Sequence, residues 1–304
     1  MKFAFLILLT ASMALAVDKI KLVSTTTDLA WAAQQVAGVH AEVRSLLNGT
    51  ENPHFVDTVP EFIRLVGEAH IVCLVGMELE IGWMPKVLSR SGNAQVQPGG
   101  KGYCEVGSAV TPLEKPTGAI DRSMGDIHPA GNPHFWLSPK ALAQASTAIR
   151  DALVRVDPQH LADYTKNQQA LAKSLEDLHQ KNMARLAPAL AKLKGPAVIE
   201  YHKEFTYFFD AYGIKSFGSI EEKPGIPPSA GRIAEIAVAA QSAGVKLTLA
   251  GEYAPSKTLE RFSELSGIKA ERLATSIQPK GKNKGYIEFQ NSLVETVLAA
   301  LSLN

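Results

Sequence analysis

Three of the eight histidines stand in contexts suited to holding a metal ion. His54 lies in Asn52-Pro53-His54-Phe55, and His134 in Asn132-Pro133-His134-Phe135-Trp136-Leu137-Ser138-Pro139. His202 follows the apolar run Val198-Ile199-Glu200-Tyr201. Proline fixes its own φ and restricts the residue before it, so the repeated Asn-Pro-His presents each imidazole from a stiff segment. A metal ligand needs that stiffness, because its bond length is held to within a few tenths of an ångström. Neutral imidazole suits zinc and other borderline ions, and three histidines with an open fourth position make an ordinary zinc site. Taken singly, each of these residues is more often a loop histidine bonded to backbone; the paired tripeptide and the placement after strands set them apart. His40, His70, His160 and His179 lack that context and read as surface or helix-end residues. His128, in Gly125-Asp126-Ile127-His128-Pro129, is intermediate: an auxiliary metal contact or, the preferred reading, a structural residue.

The elements that must position these side chains alternate. Ile20 to Ser24 reads as a buried strand, Thr25 to Asp28 as a turn with a helix N-cap, and Leu29 to Gly38 as a helix. Ala41 to Leu46 and Ile71 to Val75 read as further strands, separated by the polar loop Asn48 to Pro53 and a helix from Val59 to Ala69. Short connections between alternating strands and helices indicate βαβ units and a parallel sheet. In such sheets ligands bind beyond the carboxyl ends of the strands, where the three histidines fall. From Asp157-Pro158 to Leu193 the pattern changes to leucines at helical spacing in a Lys/Gln-rich background, stopped by Lys194-Gly195-Pro196. This predicts one helix of roughly 35 residues, about 50 Å long. Strand and helix then alternate again: strands at Ala197–Tyr201 and Leu247–Ala250, helices at Glu204–Tyr212, Ile233–Ala243 and Ile287–Leu303. No internal repeat is visible. The expected fold class is α/β, two lobes with mainly parallel sheets joined by one long rigid helix. The expected divisions are 1–16 as signal peptide, 17–156 and 195–304 as the N- and C-terminal metal-binding lobes, and 157–194 as the linking helix.

The signal peptide rests on Lys2, the apolar run Phe3 to Leu15 and the small-x-small pattern Ala14-Leu15-Ala16. That run is shorter than the roughly 20 residues that span a bilayer, and no cysteine follows it, so a secreted, periplasmic protein without a lipid anchor or membrane insertion is expected. A net charge of +1 argues against nucleic acid or a membrane surface as a partner. Two cysteines, Cys73 and Cys104, are too few for a disulfide framework. Export would allow them to pair; Cys73, within Ile71-Val72-Cys73-Leu74-Val75, reads equally as an inert buried thiol.

With these residues in view, the chain from Ile20 to the C-terminal helix resembles the zinc- and manganese-binding periplasmic proteins of ABC importers, a group with two α/β lobes joined by one long helix. The resemblance rests on Asn52-Pro53-His54, on the His-x-Trp-Leu-x-Pro pattern at His134, and on Tyr201-His202-Lys203-Glu204-Phe205 before Tyr207-Phe208-Phe209-Asp210-Ala211-Tyr212-Gly213. It implies that His54, His134 and His202 are the first, second and third metal ligands. It also implies that histidine in third place marks zinc-type members, whereas manganese-type members tend to carry Glu there. Zinc is therefore the expected ion, manganese the alternative, and an inner-membrane ABC permease the expected partner of a monomeric protein. The family's fourth ligand is usually an Asp before the last helix; here Gln278 occupies that place, in Ser276-Ile277-Gln278-Pro279-Lys280-Gly281. Either Gln278 coordinates, or water does, or a carboxylate from Glu221, Glu222 or Glu252 swings in. A long His/Asp-rich loop found in some zinc members is missing here. Two other readings stand beside this one. A three-histidine zinc site also serves hydrolytic enzymes, with Glu204 or Glu252 as general base, although no His-Glu-x-x-His is present. An adhesin or a binder of a non-metal solute would make the histidines incidental.

Overall fold

Two four-stranded parallel sheets share one strand order. The first holds β1 (Ile20–Ser24), β2 (Ala41–Ser45), β3 (Ile71–Leu74) and β4 (Tyr103–Glu105) in the order β2-β1-β3-β4. The second holds β5 (Val198–Glu200), β6 (Ser216–Ser219), β7 (Leu247–Gly251) and β8 (Ala270–Leu273) in the order β6-β5-β7-β8. In both, the opening strand lies between the second and the third, a structural repeat that the sequence does not display. β3, β5 and β7 are buried along their whole length, which is why they read as apolar runs instead of alternating patterns. The computed structural model describes residues 19–118, 125, 127–223 and 225–302. The expected signal peptide, residues 1–16, lies outside the described residues.

Helix starts follow local chemistry. α1 (Thr27–Ala37) is capped by the Thr26 hydroxyl, which accepts from Leu29 N. α2 (Pro60–Glu68) and α3 (Met84–Ser91) each place a proline in the first turn, where its missing N–H costs nothing. α4 (Pro139–Val156) begins likewise at Pro139, with the Ser138 hydroxyl accepting from Ala141 N. α4 is missing from the sequence reading, although Ser138-Pro139 is a start of the same kind as Asp157-Pro158. Asp157 in turn ends α4, its N–H donating to Leu153 O. Its carboxylate accepts from Tyr164 and lies 2.6 Å from His160 Nδ1. Pro158–His160 forms a 3-10 turn, and the long helix α5 runs from Leu161 to Leu190. It thus starts three residues later than the Asp157-Pro158 signal predicts. Four more helices complete the description: α6 (Thr206–Tyr212), α7 (Ala230–Ser242), α8 (Ser256–Ser266) and α9 (Tyr286–Ser302).

α5 is the spine between the sheets. It packs on α1 and α4 from the first half and on α6 and α9 from the second. Its inward face carries Tyr164, Leu171, Leu175, Leu178 and Leu186, and each buried leucine contributes about 2 kcal/mol. His179, expected at the surface, is buried on that face and stacks on Tyr212 with ring centroids 5.4 Å apart. One apolar core runs unbroken from Leu22 and Ile71, through Trp136 and the α5 leucines, to Phe208 and Leu293. Cys73 and Cys104 face one another in register across β3 and β4 as buried free thiols. Contact with Cys104 and burial both push the Cys73 thiol up.

Polar bonds stitch the same seam. The Trp136 indole donates to Thr275 O at 2.7 Å, Tyr286 OH to Trp136 O at 2.7 Å, and Gln290 Nε2 to Leu137 O at 3.0 Å. Thr27 Oγ1 donates to Ile277 O at 2.7 Å, and Asp28 Oδ1 accepts from Ile277 N at 3.1 Å. Burial raises the Asp28 carboxyl from 3.8 to about 7 despite its hydrogen bonds. The folded protein therefore keeps a proton that the unfolded chain releases near pH 4, so this residue's contribution to stability is full below that pH and is lost as pH rises through 7. Denaturant unfolding of wild type should show a steeper fall in stability from pH 5 to pH 8 than unfolding of Asp28→Asn, which cannot titrate there. Parallel curves for the two proteins would refute the assignment.

Candidate metal centre

Each of the three histidines is set by its own segment. In the loop after β2, Glu51 accepts from the N–H groups of Asn48 and Thr50, at 3.0 and 3.1 Å, and so tightens the turn. Asn52 Oδ1 then accepts from His54 N at 3.0 Å, and the Trp83 indole donates to Pro53 O at 2.9 Å. The second tripeptide repeats the device: Asn132 Oδ1 accepts from His134 N at 3.0 Å, while Phe135–Leu137 forms a 3-10 turn into α4. His202 follows β5, whose last residue, Glu200, accepts from Phe205 N at 2.9 Å and closes the turn.

These segments bring the three histidines together, all buried. One ring nitrogen from each lies within 4.8 Å of the others. His54 Nε2 and His134 Nε2 are 3.0 Å apart. Two nitrogens bound tetrahedrally at about 2.05 Å from one zinc ion stand about 3.3 Å apart, so the donor set fits such an ion with small side-chain adjustment. Among the described residues this is the one set of three His, Cys, Asp or Glu side chains that close. A cavity of about 200 Å³ adjoins it, lined in part by His134, His202, Asn132 and His128. The His128 ring lies 5.2 Å from that of His54 and outside the tight set.

The groups behind the imidazoles fix their roles. His202 Nδ1 lies 2.8 Å from Glu221 Oε2, and both residues are buried. His134 Nδ1 lies 2.9 Å from Asn132 Oδ1. A ligating histidine characteristically donates its second N–H to such an acceptor, which orients the ring and strengthens the donor nitrogen. Burial, and then the neighbouring His54, His202 and His128, hold the His134 imidazole well below the ordinary histidine range. His134 is therefore neutral at physiological pH, the form that binds metal.

Two other buried carboxylates, Glu80 and Glu204, are held by donors of the fold itself. Burial raises Glu80 to about 7, and it accepts from Thr25 Oγ1 and from the N–H groups of Val75 and Gly76. Burial also raises Glu204, whose oxygens accept from Gly251 N and the Tyr253 hydroxyl. Gln278 Nε2 donates to Glu252 Oε2 at 2.6 Å and lies 3.5 Å from Gly49 O. Neither the place of Glu221 behind His202 nor that of Trp83 beneath Pro53 carries a signal in the sequence. Glu221 stands just past the end of β6, a strand too short to be read from sequence.

Residues 22–300 match the family described as ZnuA, zinc-uptake complex component A periplasmic. The iron ABC transporter substrate-binding lipoprotein MtsA of Streptococcus pyogenes serotype M1 is 26% identical over 271 residues, covering 87% of this chain and 83% of that protein. The high-affinity zinc uptake system protein ZnuA of Bacillus subtilis (strain 168) is 25% identical over 294 residues, covering 93% and 88%. Among solved structures, FpvC of Pseudomonas aeruginosa in complex with Mn2+ superposes with a TM-score of 0.77 at 24% identity, over 94% of this chain and 99% of that one. At that identity the likeness speaks for the fold.

Protons and metal compete for the same nitrogens. Because His134 is held well below the ordinary histidine range, affinity should hold from pH 8 through neutrality and decline only where pH falls well below that range and the ring charges. Titrations of metal into weakly buffered protein at a series of pH values measure both the decline and the protons released. Metal uptake that released no protons at any pH down to the acid limit of the fold would argue against imidazole ligands.

Proposed function

The chain belongs to the ZnuA, zinc-uptake complex component A periplasmic, family, and from that premise we propose that it captures zinc in the periplasm and delivers it to the permease of an ABC importer. It is a divalent-metal-binding solute-binding protein of ABC uptake and not an enzyme. The observation that carries the zinc reading is the buried cluster of His54, His134 and His202. A donor set of three imidazoles favours a borderline ion over manganese, which prefers oxygen. The metals in the relatives' names differ, iron in one and zinc in the other, so the donor set is the stronger argument.

Residues 1–16 would direct export, and the lobes 17–156 and 195–304 would grip the ion from either side of the linking segment 157–194. α5 is a continuous helix over thirty residues, and hinge closure needs positions that absorb a change in φ and ψ. Capture and release therefore fall to the loops that carry His54, His202 and Gln278. Among the described residues no helix is long and apolar enough to cross a membrane.

Structural zinc sites contribute about 10–16 kcal/mol over four ligands, or about 3 kcal/mol each. Replacing His54, His134 or His202 by Ala should therefore weaken zinc binding roughly a hundredfold, read by competition with a chelator. If two of these variants bound zinc like wild type, the ligand set would be wrong. Gln278→Asp tests the fourth position. A carboxylate within reach of the ion should tighten zinc binding, slow release to chelator and make manganese more competitive. Unchanged affinity and release would place that side chain away from the ion.

A further inference from the structure

Glu221 stands directly behind His202, but the acceptor behind His134 is a neutral amide, Asn132. The amide is itself held from the other side. Asn132 Nδ2 donates to Glu114 Oε2 at 3.1 Å, to Lys203 O at 2.8 Å and to Thr206 Oγ1 at 3.2 Å. Its orientation is forced by chemistry: the atom facing the His134 backbone N–H must be oxygen, and the atom facing a carboxylate and a carbonyl must be nitrogen. Because Oδ1 only accepts, the His134 proton sits on Nδ1 and the Nε2 lone pair faces the cluster.

Glu114 is placed for this contact at some cost to its backbone. Its φ of 51° lies in the left-handed region, unusual for a residue with a side chain. The neighbouring Leu113 is pinned on both sides, its carbonyl accepting from Asn132 N at 2.8 Å and its N–H donating to Tyr207 OH at 3.1 Å. The carboxylate also accepts from Lys203 Nζ and Thr206 Oγ1, both at 3.0 Å. Burial alone would raise its pKa, but the bonds from Asn132, Lys203 and Thr206 outweigh that and hold it below the usual carboxylate range. It is therefore an anion at neutral pH.

Resting on the ligand set proposed above, we propose that Glu114 is a positioning residue that acts through the Asn132 amide to orient and polarise His134, the counterpart at one remove of Glu221 behind His202. A negative charge on the donor side of an amide strengthens its carbonyl oxygen as an acceptor. A stronger acceptor at Nδ1 makes Nε2 a better donor to a cation. The same carboxylate grips Lys203, the residue after His202, so it also couples two of the clustered histidines.

The test is a double-mutant cycle on zinc affinity, with E114Q, N132A and the double variant, all checked for native thermal unfolding. Outer partners of a ligating histidine typically affect affinity by about 10–100-fold. One relayed through an amide and partly exposed should fall below that range, with E114Q weakening zinc binding on the order of threefold to tenfold. In the N132A background the effect of E114Q should vanish. An undiminished effect there would mean that Glu114 acts on the ion directly through space, and the proposal fails. It fails also if E114Q binds zinc like wild type. A second readout needs no metal: long-range proton–nitrogen spectra of the imidazoles should show His134 protonated at Nδ1 in wild type, with the Nδ1 and Nε2 shifts moving in E114Q. Unmoved His134 shifts would overturn the relay. If His134→Ala left zinc affinity unchanged while the His134 shifts still moved in E114Q, the relay would stand and the ligand assignment would fall.

Discussion

Three imidazoles buried against one another tolerate no net positive charge, and the 3.0 Å approach of His54 Nε2 to His134 Nε2 is bridged by one shared proton. A charged ring there would lose its hydration and meet two others at close range, which is why burial and neighbouring histidines hold His134 neutral. The surroundings conform to that demand. Glu80 and Asp28, the buried acids nearest the strand ends of the first sheet, are raised to about 7, and Glu200 and Glu204 in the second half are raised as well. Each accepts from at least one backbone N–H group, so these acids brace turns of the fold. Glu221 brings a carboxylate to the cluster from behind a ring.

Holding nitrogens to a few tenths of an ångström requires that the segments bearing them do not drift relative to one another. The structure meets this with one large core cluster that spans both halves, beside a smaller cluster within each half. His134 begins a segment whose next three residues are fully buried, and this segment is bonded through Trp136 and Leu137 to Thr275, Tyr286 and Gln290 of the second half. The ring of His134 therefore belongs mechanically to both halves. α5 completes the brace, because its inward leucines lie in the same core cluster as Trp136 and Leu293. On the function proposed above, small loop movements at the edge of this frame would capture the ion.

Much of this was legible in the sequence because the signals were local and chemical. The Asn-Pro-His pairs marked two segments, the apolar runs marked β1, β3, β5 and β7, and the leucine spacing marked α5. What stayed hidden has physical causes. β4, β6 and β8 are three or four residues long and partly exposed, with too little pattern to distinguish them from loop. Half of the buried face of α4 is small, Ala141, Ala145, Ser146 and Ala152, which dilutes the signal of Leu142, Ile149 and Leu153 yet allows close packing on α5. His179 was misplaced because a histidine in a Lys/Gln-rich helix looks solvated, while its actual neighbour, Tyr212, comes from α6. Glu114 and Glu221 carry no local mark, since their partners lie 18 or more residues away and are set by tertiary structure alone.

The placement of charge also bears on which ion the centre suits. A carboxylate inside the donor set would attract any divalent cation by Coulomb force and would favour hard ones that prefer oxygen. An imidazole with a carboxylate behind it presents nitrogen to the ion while the negative charge stays one ring away. That arrangement keeps a negative charge close to the donor nitrogens. It withholds the oxygen that manganese would prefer. In the second half this is achieved by His202 in front of Glu221, two buried residues that meet only because β5 and β6 are adjacent. Exchanging that histidine for a carboxylate would bring oxygen to the ion and leave Glu221 facing a like charge. If His202 serves as a ligand as proposed, it and its buried partner Glu221 would therefore have to change together for the preference of the site to change.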